Sequence, residues 1–260
     1  MNTSTDSKTQ NHFFYPILLQ SGHFFFKFRN ALFPIVFVLL FLFSRPSLFL
    51  GSEFLDRYVV LLGSLIALAG QAFRLLVIGF AYIKRGGKNG KVYAETLVTK
   101  GFYAHTRNPM YVGNFLIAFG LGLVYGSPWV YFFVIPFFSF VYLSIVTAEE
   151  SFLKNKFGAE YEDYAKRVNR FIPNLRGLKV SLSGFRYDWR SALRKDYGTV
   201  FGTLAGMVLI RIWKDFYLFG FQAKKEEILF LALSFIPIVA FYVAVRYFKI
   251  SGRLFSPNAA

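Results

Sequence analysis

The chain has 260 residues, 55% of them hydrophobic and 21% aromatic with 35 Phe, and a mean hydropathy of +0.43, which is more apolar surface than one soluble core of this length needs. A formal net charge of +16 would suggest nucleic acid in a soluble protein, but most basic residues stand in short segments beside apolar spans, where anionic headgroups and the positive-inside rule account for them. Cysteine is absent, which excludes disulfides, thiolate catalysis and Cys-ligated metal, and the wide separation of His12, His23 and His105 argues against a histidine metal cluster.

A polar stretch to His12 is followed by an aromatic-basic stretch from Phe13 to Arg29. No apolar run with a small-residue cleavage site is seen there, so the first span is read as a retained anchor. Spans are predicted at 31–49, 58–83, 110–125, 128–147, 198–219 and 228–247, each long enough for a hydrocarbon core of about 30 Å at about 1.5 Å per residue. Gly126-Ser127-Pro128 makes a tight turn between the third and fourth, which form a short helical hairpin. Six helices put both ends of the chain on one side.

Basic residues sort by loop. Lys84, Arg85, Lys88, Lys91, Lys100 and Arg107 lie between spans two and three, and eleven more from Lys154 to Lys195 lie between four and five. The opposite loops hold only Arg45, Arg57, Lys214, Lys224 and Lys225, so the two basic segments are expected on the cytoplasmic face. From Glu149 to Arg170 the residues Leu153, Phe157, Tyr161, Tyr164 and Val168 recur at helical spacing, broken after Phe157 by Gly158. The fourth span is therefore expected to run out into a cytoplasmic helix-turn-helix. The basic, aromatic segment 177–195 suits either the headgroup surface or a plain linker. The expected fold is all-α, a polytopic membrane helical bundle of about six transmembrane helices with a cytoplasmic helical cap.

Candidate site residues cluster at that face. Glu149 and Glu150 end a hydrophobic helix, where dipole and membrane both disfavour carboxylates, so a cation should offset them. That cation is Arg74 or Arg107 if the pair is structural; otherwise one or both carboxylates bind the amino group or ribose of a cofactor. Arg74, one turn after Gln71 inside the second span, either faces a cavity and its ligand or snorkels to the interface. Asn108-Pro109 is an ordinary helix start, whereas Arg107 offers a bidentate anion clamp. Tyr111 would orient a reacting group or sit in the aromatic belt.

These residues form an ordered pattern. Leu97, Val98, Gly101, Tyr103, Arg107, Asn108, Pro109, Tyr111 and Gly113 are followed, after the hairpin, by Glu149, Glu150, Leu153, Phe157, Gly158, Tyr161, Tyr164, Val168, Arg170 and Pro173. The stretch resembles the isoprenylcysteine carboxyl methyltransferase and phospholipid N-methyltransferase superfamily of integral-membrane enzymes. Asn108 departs from the family's usual His, and an amide cannot act as a base at neutral pH. The resemblance implies S-adenosylmethionine as cofactor, no metal, and a lipophilic acceptor, either an isoprenylcysteine-type carboxylate or a phospholipid amine. By the same resemblance Tyr103, Asn108, Pro109, Glu149, Glu150 and Arg170 would bind the cofactor, Arg107, Tyr111 and Glu150 would be catalytic, and Arg74 and Arg107 would hold the substrate. It divides the chain into an N-terminal region of two spans (1–96), a methyltransferase core (97–175), and a basic linker with two further spans (176–260). Membrane lipids are expected partners and nucleic acid is not. A non-catalytic lipid-binding or scaffold protein that kept the fold, or a sterol or steroid reductase using a nicotinamide cofactor, would share such a membrane core.

Overall fold

Gly63, Ala67 and Gly70 line one face of an apolar run, and Gly113 and Gly120 line one face of another; where these faces meet, the centre of the molecule is set. The computed structural model describes residues 6–80, 85–88 and 91–254. Helix α1 spans Asp6–Phe43, α2 Glu53–Phe80, α3 Pro109–Tyr125, α4 Ile135–Phe157, α5 Ala159–Arg167, α6 Leu178–Leu182, α7 Trp189–Phe219 and α8 Lys225–Ile250. A methyl group added at Gly120 would stand 2.4 Å from the Gly63 carbonyl oxygen, and one at Gly70 would stand 2.8 Å from that of Gly113, so α2 and α3 pack backbone against backbone. Small residues permit that approach in a setting where dispersion, more than water exclusion, holds helices together.

The architecture is the all-α membrane bundle expected. Among the described residues three helices are long and apolar enough to cross a membrane: α2, the stretch Val130–Phe157 that includes α4 and the π-turn before it, and α8. Two parts of α1, Phe14–Arg29 and Pro34–Phe43, are bent by 90° and would together make a fourth. The expected six therefore reduce to three or four by this measure. α3, at 17 residues, is shorter, and the 31-residue α7 carries Arg211, Lys214 and Asp215 within its length.

Several boundaries differ from expectation. The first span, expected over 31–49, ends at Phe43, because Pro46 biases Arg45 out of the helical region. The stretch 13–29 is part of α1 and lies along α4: Phe26 packs on Val141 and Ile145, and a methyl at Gly22 would collide with the Ser144 carbonyl. Residues 81–83 of the second predicted span, and Lys84, lie outside the described residues. Beyond them an antiparallel hairpin, β1 (Arg85–Lys88) paired with β2 (Lys91–Ala94), takes the place of a plain loop. α7 begins nine residues before the predicted fifth span, since the Asp188 carboxylate caps its first turn by accepting from the Ser191 N–H at 2.9 Å, and the Asp188 N–H donates to the Gly79 carbonyl on α2. The expected break after Phe157 is present, with Gly158 at φ 53° joining α4 to α5.

α1 packs on α4, and α7 packs on α2 and α3, while α8 touches the bundle mainly through α7. Between α1, α2, α3, α4 and α7 the helices enclose a cavity of about 1240 Å³.

Candidate active site

The motif residues converge where α3 begins and α4 ends. Pro109 opens α3 at its first position, yet the Asn108 side chain does not cap the helix. Its Nδ2 instead donates to Glu150 Oε1 at 2.9 Å and to the Arg170 carbonyl at 3.2 Å. The two residues expected to be an ordinary helix start are thus divided, with Pro109 fixing the helix and Asn108 turned to the carboxylate. Two guanidinium groups flank the same Glu150: Arg107 Nε lies 3.1 Å from Oε1 and Arg170 Nε lies 3.0 Å from Oε2. Arg170 also donates to Thr147 Oγ1 at 2.8 Å, and Arg107 Nη1 to the Ala165 carbonyl at 3.0 Å. For Glu150 the expected cation is therefore Arg107 together with Arg170, whereas Arg74 is engaged elsewhere, by Asp196.

Glu149 is the member of the pair that lines the cavity. It is buried, and Tyr111 donates its hydroxyl to Glu149 Oε1 at 2.7 Å. Adjacent carboxylates on a helix point about 100° apart, so one turns to the cap and the other to the cavity. Tyr103 is buried against Val77 and Phe102 and also reaches the cavity wall, with Tyr164 donating to its carbonyl at 2.7 Å.

The segment after α5 closes this end. Arg107 N–H donates to the Asn169 carbonyl at 2.9 Å, Thr106 Oγ1 to the Phe171 carbonyl at 3.1 Å, and Asn174 N–H to the His105 carbonyl at 3.0 Å. The His105 ring bonds the Asn174 carbonyl and Ser181 Oγ. Residues 105–108 and 169–174 are thereby stitched together although they lie some 65 positions apart in sequence, a distance the two motif clusters bridge.

Arg74 occupies a second polar centre in the same cavity. Its guanidinium grips Asp196 of α7 with two nitrogens, Nε lying 3.2 Å from Oδ2 and Nη2 bonding Oδ1, while Nη1 bonds Asn114 of α3. Gln71 Nε2 donates to Asp196 Oδ2 at 2.7 Å, and Thr203 donates to Gln71 Oε1 at 3.1 Å. Arg74 does not snorkel; it is paired inside the bundle. Asp196, Thr203 and Asn114 are not among the residues expected from sequence, and one usable signal pointed to the first of them: an arginine in an apolar span calls for an acid at similar depth, and Asp196 stands just before the predicted fifth span.

Among the described residues no group of three His, Asp or Glu side chains could hold a metal ion. At this end of the cavity the buried Asn108 Oδ1 takes no hydrogen bond from the described residues.

Residues 59–160 match the phospholipid methyltransferase family. The chain is 36% identical over 162 residues to protein-S-isoprenylcysteine O-methyltransferase of Schizosaccharomyces pombe, covering 60% of this chain and 61% of that one. Both matches bear out the superfamily resemblance carried by the two motif clusters. To the enzyme of the same name from Rattus norvegicus it is 32% identical over 128 residues, 46% of this chain and 43% of the relative. A cobalt-zinc-cadmium resistance protein, CzcN of Cupriavidus metallidurans, is 34% identical over 115 residues, 44% of this chain and 48% of that one. The chain spans less than two thirds of the length of each of these relatives. No solved structure matches it. The family match takes in Arg74, all of α3 and both glutamates but stops before Arg170 and Asp196.

Proposed function

We propose that the protein is an integral-membrane, S-adenosylmethionine-dependent methyltransferase acting on a lipophilic acceptor, with the cofactor reached from the cytoplasm and the acceptor from the bilayer. The observation that carries this reading is the cavity, which runs from Glu149, Asn108 and Arg107 at one end to Phe41, Leu121 and Ile210 at the other. A single chamber thus offers ionic groups to a water-soluble molecule and an apolar wall to a hydrocarbon tail.

The donor set fits the cofactor. Asn108 Oδ1 is a buried acceptor without a donor, and the Glu149 carboxylate faces the cavity, so an ammonium or amino group is matched on both. When bound, the cofactor supplies a methyl group activated by its sulfonium. Tyr103 and Pro109 shape the pocket, Tyr111 orients Glu149, and Arg170 and Arg107 hold Glu150, which fixes Asn108 by its amide nitrogen. Arg107 acts less as an open anion clamp than as part of this lattice, because its guanidinium is already engaged by Glu150 and Ala165. Catalysis on this reading is positioning and exclusion of water, with no proton carried at Asn108. Arg74 stands on the acceptor side. The core proposed over 97–175 accordingly takes in parts of α2 and α7.

Detergent-purified protein incubated with radiolabelled S-adenosylmethionine, total lipid extract and prenylcysteine analogues tests the proposal. Label in a base-labile ester indicates carboxyl methylation, and label in a phospholipid band indicates amine methylation. Glu150→Gln is expected to cut turnover by about 100-fold, as loss of a charge that organises two arginines should. Unchanged cofactor affinity and turnover in that variant would remove Glu150 and the lattice it holds from the site. Absence of any labelling, with no cofactor binding, would favour a lipid-binding protein, and binding of NADPH instead would favour a reductase.

A further inference from the structure

Asp196 lies outside the segment matched by the family and belongs to none of the motifs, yet it is 1% exposed and stands on the cavity wall beside Arg74, Asn114 and Thr199. Both carboxylate oxygens face Arg74, and Gln71, itself held by Thr203, fixes Oδ2 from the other side. The placement is rigid and involves two helices. An unpaired guanidinium in this low-dielectric chamber would draw an oxyanion strongly. Asp196 cancels that pull, leaving a paired dipole with the second Nη1 hydrogen of Arg74 and the Asn114 amide still to donate; of the other charges on the wall, Arg107 is paired with Glu150, and Arg29 and Lys195 are matched in number by Glu95 and Glu149, so the Arg74–Asp196 pair decides the balance.

We propose that Asp196 is a specificity-determining residue: by neutralising Arg74 at the cavity wall it makes the acceptor chamber favour an amphiphile whose polar head has no net charge, zwitterionic or neutral, over one carrying a lone oxyanion. The inference rests on the reading that this cavity receives the lipophilic acceptor. It does not depend on methyl transfer being detected, because it concerns binding.

Full-length protein in nanodiscs is titrated calorimetrically with dodecylphosphocholine and dodecyl phosphate below their micellar concentrations and with dodecanol below its solubility limit, with empty nanodiscs subtracted. Wild type is expected to bind dodecylphosphocholine more tightly than dodecyl phosphate. Asp196→Asn, which exposes the Arg74 charge, should shift that ratio toward dodecyl phosphate by about tenfold or more while dodecanol changes little. Arg74→Gln should shift it the opposite way, and the double variant Arg74→Gln/Asp196→Asn, neutral again, should return within about threefold of wild type. A purely structural pair would move all three ligands together or none, and either result overturns the proposal. Failure of both single variants to fold would assign the pair to folding and overturn it as well. A tight, headgroup-selective chamber in a protein that binds no S-adenosylmethionine would sink the proposed function and leave this inference standing; cofactor binding with no headgroup selectivity would do the reverse.

Discussion

The two ends of the bundle both bury ions, and they do so in opposite ways. At the motif-bearing end Glu149 and Glu150 are served by Tyr111, Asn108, Arg107 and Arg170, and Glu149 opens on the cavity. At the far end Lys214 of α7 donates to Asp56 of α2 at 2.8 Å, with Lys214 1% and Asp56 3% exposed. Asp56 also accepts the Phe49 N–H, and Arg211 lies 2.9 Å from Asp215. The lysine head presses on Gly126, whose φ of 68° ends α3 in the left-handed region. Nearby, Tyr125 donates to the Ser44 carbonyl at 2.7 Å, and Ser44 and Ser127 share a hydroxyl contact at 3.0 Å. None of Asp56, Lys214 or Asp215 lines the cavity. Buried charge is costly in either place; at one end it faces a cavity, and at the other it ties α2 to α7 beside the end of α3.

The contrast is broken most directly at the sealed end. Lys214→Ala leaves Asp56 buried without its cation and should cost about 3–5 kcal/mol, read as a large drop in thermal unfolding temperature in detergent. Cofactor affinity of the protein that remains folded should not change. The double variant Asp56→Asn/Lys214→Met should recover most of the loss, since Asn can still accept the Phe49 N–H. A Lys214→Ala protein as stable as wild type, or one with altered cofactor affinity, would erase the distinction between the two ends.

Tyr111→Phe makes the converse test at the motif-bearing end. It removes one hydroxyl bond to Glu149 and almost no volume. With hydrogen bonds to charged groups contributing about 1.5–3 kcal/mol, cofactor affinity should fall by about tenfold or more while the unfolding temperature shifts little. Equal affinity in the two proteins would take Tyr111 out of the site and return it to the aromatic belt.

The motif end is legible in the sequence because its residues come in two compact clusters of special types. Gly158, Pro109 and the Glu pair each carry local physics that a sequence exposes, namely a left-handed break, a first-turn proline and a carboxylate at the wrong helix end. Arg74 signals a partner but not its address, since pairing of α2 with α7 is a matter of tertiary packing over 122 positions. Lys214 counts among the loop charges although it falls within the predicted span 198–219, and its partner Asp56 across the bundle is what accounts for a lysine at that depth. The hairpin 85–94 is half legible: Asn89-Gly90 is a two-residue turn signal and Val92-Tyr93 suit a strand, whereas Arg85, Gly86, Gly87 and Lys88 lack both β-branching and alternation.

A third ion pair sets the baseline against which both ends are measured. Lys154 at the end of α4 lies 2.8 Å from Glu162 of α5, with 60% and 47% of the two side chains exposed. The Lys154 ammonium holds the Glu162 carboxyl below its ordinary value of 4.5 through their hydrogen bond and mutual attraction. A lowered carboxyl pKa means that the pair contributes fully above the unfolded value and is lost as pH falls through the folded one. Solvent screens it throughout, so Lys154→Ala should move the unfolding temperature at pH 7 only marginally. That small difference should vanish once pH has fallen through the lowered Glu162 value, where the carboxyl is protonated in both proteins, and again in about 1 M salt. Thermal unfolding of the two proteins across this range decides the point. A shift rivalling that of Lys214→Ala would mean that the α4–α5 junction is sealed from water like the far end of the bundle, and the division of the molecule into a cavity-facing end, a locked end and an exposed cap would have to be redrawn.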